Sequence, residues 1–257
     1  MMLAQTGRLV NQNRKSSIVC DLQTKKVQAM HHKFKDKQAL EYIERKHHLS
    51  EIDPTRVTPL REIPILEAET AVPEKVIEFS DALVDDDFGA WVHSCREDRY
   101  IDRWWNNPRK YLPRLKQFAG VFTPDFSMLL DMLAGQVHGV VVQSFLIGQI
   151  CQREGIRTIP TAAWARRNTY DWCFDAIPER STVVVSTVGV MRDKISREEF
   201  RSGLKELLRR KTPTTLVVYG SMIAVDFQLP PVVHFENTAT RWARVGHYQP
   251  SLLSEVG

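Results

Sequence analysis

From Val76 onward the chain alternates short apolar runs with segments of helical spacing, and this alternation constrains the fold more than any other feature. The runs lie at 76–79, 88–93, 120–123, 156–159, 182–186, 215–219 and 232–235. Strands separated by helices cannot be joined by tight hairpins, so their connections are crossovers and their pairing is parallel. The run Thr-Val-Val-Val-Ser at 182–186 shows no polar alternation, which marks a strand covered on both faces. Up to seven such strands predict an α/β fold of the TIM-barrel-like (β/α) kind, atypical or incomplete. An open doubly wound sheet is the alternative, and periodicity does not separate the two.

The helical segments carry their own signals. Residues 99–118 read as two pieces broken at Asn106-Asn107-Pro108, with Asn107 capping the second piece and Pro108 at its first position. The apolar stretch 128–151 is long enough to span a bilayer. It also holds Asp131, Gln136, His138, Gln143 and Gln149, which are costly in lipid, so it reads as a helix buried in protein and stopped by Gly155. His138 within it reads as a satisfied core histidine. A short helix is expected over 169–176. Ser196 followed by Glu199 suggests a capping box ahead of the stripe Phe200, Leu204, Leu207 and Leu208.

The part before Val76 differs. Residues 1–30 are polar and without period, residues 33–48 suggest a short amphipathic helix, and 51–74 carry Pro54, Pro59, Pro64 and Pro73 in the manner of an extended linker. The expected organisation is a basic, partly flexible extension over 1–75, removable to about residue 70, and an α/β domain over 76–257. Net charge is only +4, yet residues 1–50 hold ten Lys/Arg against four Asp/Glu. Such an arm suits nucleic-acid phosphates or a solvated surface. Cys20, Cys95, Cys151 and Cys173 form no C-x-x-C pair, which favours reduced thiols over disulfides or a zinc site. With no signal-like apolar run in the first thirty residues, the expectation is a cytoplasmic protein without a membrane partner. The spacing specifies neither a cofactor nor an oligomeric state.

Several short motifs recur in a telling order: Trp105-Asn-Asn-Pro108, Tyr111-Leu112, Pro124-Asp-Phe-Ser127, Gly155-Ile156, Ile159-Pro160, Trp164, Cys173-Phe174, Ile177-Pro178, Ser186-Thr-Val-Gly189 and Val218-Tyr-Gly220. This set resembles the family known as domain of unknown function 4417, over about 79–237. The resemblance implies a bacterial, archaeal or phage setting, often on mobile elements, and no particular activity. Where the family tends to show a proline and an Asn-Tyr-Arg-like cluster after the Asp125 motif, this chain has Leu133-Ala134 and a more apolar helix.

In parallel α/β folds ligands bind at the C-terminal ends of the strands. Candidates there are Asp125, Asp81 and Glu236 as acid/base carboxylates, with Ser127, Trp164, Ser186, Thr187, Gly189, Tyr219, Gly220, Ser221 and Asn237 as ligand contacts. Each has a plainer reading: Asp125 or Ser127 as a helix cap, the tryptophans as core, the glycine turns as tight connections. The turns 186–189 and 219–221 are expected to offer backbone N–H groups to an anion, although neither matches a P-loop or a dinucleotide fingerprint. No carboxylate spacing supports a metal. Three functions fit: a face that binds a small anionic or nucleotide-like ligand with hydrolase or lyase chemistry, a nucleic-acid-associated accessory protein using the basic arm, and a non-catalytic scaffold.

Overall fold

The computed structural model describes residues 37–237, so most of the expected basic arm lies outside the described residues. An exposed helix, α1 (Lys37–His47), and a 3-10 turn (Leu49–Glu51) come first. Then follow β1 (Val76–Glu78), α2 (Phe79–Ala82), β2 (Trp91–His93), α3 (Asp98–Asn106), α4 (Pro108–Leu115), β3 (Gly120–Phe122) and α5 (Ala134–Arg153). The chain continues through β4 (Thr158–Ile159), α6 (Tyr170–Cys173), β5 (Thr182–Ser186), α7 (Lys194–Lys211), β6 (Thr215–Tyr219) and β7 (Val232–Phe235).

Every strand pairs in parallel with its neighbour in sequence, in one ladder β1-β2-β3-β4 and a second β5-β6-β7. The ladders meet at a seam. There Thr161 and Val184 form an isolated parallel bridge, with Ala162 N–H donating to Val184 O (2.8 Å) and Val184 N–H to Pro160 O (2.9 Å). The parallel α/β class is as expected, but the strands fall into two sheets and do not close a barrel. No bond joins β1 to β7 among the described residues.

The open parallel arrangement is compatible with the alternative of an open sheet, and within each ladder the strand order runs in one direction. The arc is strongly curled. The rings of His93 on β2 and Tyr219 on β6 lie 4.3 Å apart, whereas four strand spacings in a flat sheet would separate their backbones by about 19 Å. Inside the arc Trp91, Phe122, Ile159, Val184 and Val217, one from each of β2 to β6, form a single buried cluster. Trp91 fills so much of it that a side chain on Gly120 would collide with its ring. Alternate residues point outward under the helices: Val183, Val185, Leu216 and Val218 pack against Phe200, Leu204 and Leu207 of α7. On the other flank Trp104 of α3, fully buried, stacks on Phe79 at 4.6 Å beside Leu112, Leu115 and Leu146.

Two local expectations change. The first turn of α7 begins at Lys194, and its cap is Asp193, whose side chain accepts from the Ser196 N–H at 2.8 Å; Ser196 stands inside the helix. Asn107 makes no side-chain cap, although Pro108 does open α4.

The larger correction concerns residues 51–74. Extended chain there is not a linker but a strap across α5. Residues 56–65 fold into a small antiparallel turn with Val57 bridged to Pro64. Ile63 and Leu66 enter the core at 0% and 2% exposure. The strap's backbone is satisfied by α5: the fully buried Gln149 accepts from Asp53 N–H (3.0 Å) and donates to Arg56 O (2.9 Å), and Gln152 bonds both Glu67 N–H (2.8 Å) and Glu67 O (3.0 Å). His138 is likewise tied, its Nε2 lying 3.0 Å from Arg61 O. Farther along, Glu69 pairs with Arg157 through two 2.8 Å bonds, and its carbonyl accepts from Thr182 N–H at 2.7 Å.

Candidate functional site

At the C-terminal ends of β2 to β5 the connecting loops enclose an open cleft of about 350 Å³. Its floor is the segment after β3. This loop is held by buried hydroxyls: Ser144 on α5 donates to Pro124 O (2.6 Å), while Thr161 donates its N–H to Thr123 Oγ1 (2.8 Å) and its hydroxyl to Thr123 O (2.7 Å). The chain therefore leaves β3 in a fixed direction, and Asp125 stands half-buried in the cleft. α5 starts only at Ala134, so neither Asp125 nor Ser127 caps it. Leu133 N–H instead donates to the Gln136 side chain at 2.8 Å.

Burial pushes the Asp125 carboxyl up from 3.8 to about 6. The Ser186 hydroxyl at the end of β5 works against that shift by bonding the charged form, and the charge of Asp98 adds to it. Cys95, buried beside them two residues past β2, has a thiol held well above its usual value, by burial first and then by the Asp125 charge. It is thus a protonated wall and not a thiolate nucleophile.

The structure brings Asp125, Ser127, Trp164, Ser186 and Gly189 to this one cleft. Trp164 is a packed wall: it sits between Phe174 and Phe200, and its Nε1–H donates to Glu199 O at 3.2 Å. Residues that were not site candidates from the sequence also line the cleft, namely Cys95, Arg96, Glu97, Arg192 and Glu199. Arg96 is clamped by two bonds to Glu78 (2.7 and 2.9 Å) and lies 3.9 Å from the Tyr100 ring centre.

The other candidates lie elsewhere. Thr187 is buried and its hydroxyl donates to Ser221 O at 2.9 Å, locking the two glycine turns together. Gly220 has φ 109°, and a Cβ there would strike the Thr187 hydroxyl. Tyr219 packs on His93 inside the arc. Amides of the two turns bond inward: Thr187 N–H to Tyr219 O (2.9 Å), Val190 N–H to Thr187 O (3.1 Å) and Gly220 N–H to Phe235 O (2.8 Å). Asp81 is exposed on α2, its carboxyl raised by partial burial and by Glu78, and it does not line the cleft. Glu236 and Asn237 are half-buried just past β7 and do not line the cleft either. The three carboxylates Asp125, Asp81 and Glu236 are therefore not a converging set. Among the described residues no group of three or more His, Cys, Asp or Glu side chains is placed to hold a metal ion.

The family model for a domain of unknown function, DUF4417, matches residues 56–236, which takes in the strap as well as all seven strands. The Gene 1 protein of Mycobacterium phage D29 is 38% identical over 157 residues, covering 61% of this chain and 57% of its own length. The Gene 1 protein of Mycobacterium phage L5 is also 38% identical over 157 residues, 61% of this chain and 67% of its own. The chain thus spans a little over half to two thirds of these relatives. No solved structure matches it. Among the described residues no helix is long and apolar enough to cross a membrane.

Proposed function

We propose, for a chain that belongs to the domain of unknown function 4417 family, that the cleft at the strand C-terminal ends binds a small polar ligand and that Asp125 exchanges a proton with it, as in hydrolase or lyase chemistry. One observation carries this reading: the carboxyl of half-buried Asp125, on a loop anchored by the Ser144–Thr123–Thr161 hydroxyls, lines a cleft of about 350 Å³ and is pushed up to about 6. That size suits a small ligand. A carboxyl titrating near neutrality both gives and takes protons under working conditions. The relatives in phages support a phage-type protein acting in its host's cytoplasm, and the unpaired, buried Cys95, Cys151 and Cys173 suit a reducing compartment.

The test is the titration of Asp125, followed by ¹³C NMR of aspartate-labelled protein and by melts across pH. The folded carboxyl at about 6 exceeds the ordinary 3.8, so between those values the folded state keeps a proton that the unfolded chain releases. Stability therefore falls as pH rises through this window, by up to about 3 kcal/mol, and stays lower above it. Asp125→Asn is expected to match the intact protein at pH 4 and to exceed it by about 1–3 kcal/mol at pH 7. A midpoint near 4 for Asp125 overturns the acid–base role.

A further inference from the structure

The cleft's own donors and acceptors are unevenly used, and the imbalance specifies the ligand. This step rests on the reading that the cleft is a small-molecule site. Six of the backbone amides lining it already donate within the protein: Cys95 to His93 Nδ1 (3.3 Å), Arg96 to Ser94 O (2.8 Å), Ser127 to Asp98 Oδ1 (2.8 Å), Ala162 to Val184 O (2.8 Å), Val188 to Ser186 Oγ (3.3 Å) and Val190 to Thr187 O (3.1 Å). The Arg96 guanidinium is held by Glu78, and Arg192 is exposed on the rim. The carboxylate-bearing residues that line it are Glu97, Asp125 and Glu199. The flanking walls are apolar: Phe126, Leu129, Leu130, Val188, Val190 and Phe200.

We infer that the ligand meets Asp125 with a hydrogen-bond-donating nitrogen, a protonated amine or an amidine-like edge, carried on an apolar body, and not with a phosphate or carboxylate. A cation beside a poorly solvated carboxylate forms a charge-assisted bond that is stronger than in water. An anion in the same place finds the amides of Cys95, Arg96, Ser127, Ala162, Val188 and Val190 taken and meets like charge. A bound cation also favours ionised Asp125 and pulls its midpoint down, whereas an anion raises it.

A matched pair of probes tests this on the full chain: benzamidine and benzoate share a ring and differ in the sign of the head, with inorganic phosphate as a third arm. At pH 7.5 and millimolar concentrations benzamidine is expected to raise the melting temperature and to lower the Asp125 NMR midpoint, while benzoate and phosphate change neither. Asp125→Asn, which keeps the side-chain shape, is expected to bind benzamidine at least tenfold more weakly. An unchanged benzamidine response in that variant overturns the inference. So does benzoate or phosphate binding that moves the Cys95 and Ser186 resonances; the cleft then remains a ligand site and only the sign is wrong. If all three probes are inert and Asp125 still titrates near 6, the donor-ligand inference falls while the acid–base reading stands. If they are inert and Asp125 titrates normally, both fall.

Discussion

The two ladders of the arc are built differently. Strands β5, β6 and β7 are five, five and four residues long, and β5 and β6 are joined through the 18-residue helix α7. Strands β1 to β4 have three, three, three and two residues, and short helical pieces separate the first three. In the longer ladder β5 and β6 are stabilised by apolar residues buried on both faces. The shorter one leaves more chain in its loops, such as residues 123–133 between β3 and α5, and Asp125 and Ser127 stand there. Cys95 and Trp164 also follow short strands. A short strand suffices to set the direction in which a loop departs, and the residues it releases become the cleft. The regular half lends Ser186, Glu199 and the Trp164 backing, all at the seam.

Removing everything before residue 72 is the strongest way to break this comparison. Ile63 and Leu66 would leave the core at about 2–5 kcal/mol each, and the buried Gln149 amide would lose its partners at about 1–3 kcal/mol more. Loss of a cooperative melt is expected; a truncated chain that melts within about 2 kcal/mol of the intact one would show that the short ladder stands without its strap. A smaller effect comes from Gly203→Ala on α7. A Cβ there collides with the Trp164 indole, so the wall of the cleft must shift. The expected cost is about 1–3 kcal/mol, with altered resonances at Asp125 on the far side of the seam. Resonances that change only within α7 would mean the halves are mechanically separate. The smallest effect is electrostatic: Ser186→Ala removes the hydroxyl that favours the charged form, so the Asp125 midpoint moves upward from about 6. A midpoint that stays or drops would deny the regular half its share in the site.

The same contrast decides what could be read in advance. Strands 182–186 and 215–219 were marked to the residue by β-branched runs, because a strand covered on both faces needs apolar side chains without interruption. In the short ladder the runs overshoot. Phe79 reads as the end of a strand but opens α2, and Ile156 is apolar because it packs under the helices, with β4 starting only at Thr158. Asp125, Ser127, Trp164, Ser186 and Gly189 could be named because parallel strands deliver their C-terminal loops to one side. Glu199 and Arg192 could not, since their approach depends on how the start of α7 comes back over a curled sheet. The strap was misread for a different reason. Prolines signal extended chain, but whether extended chain packs depends on a partner such as Gln149, 96 residues from Asp53.

The strictly sequential strand order bears on how the molecule folds. Each ladder joins neighbours in the chain, so the sheet is able to grow by one βα unit at a time, without the large loop-closure entropy of a first strand meeting a last one. The last, long-range event is instead the docking of the strap, whose bonds to α5 and β5 bridge 77 to 111 residues. Folding kinetics should therefore register substitutions at Gln149 or Ile63 mainly in the unfolding limb, as expected for contacts that form after the rate-limiting barrier.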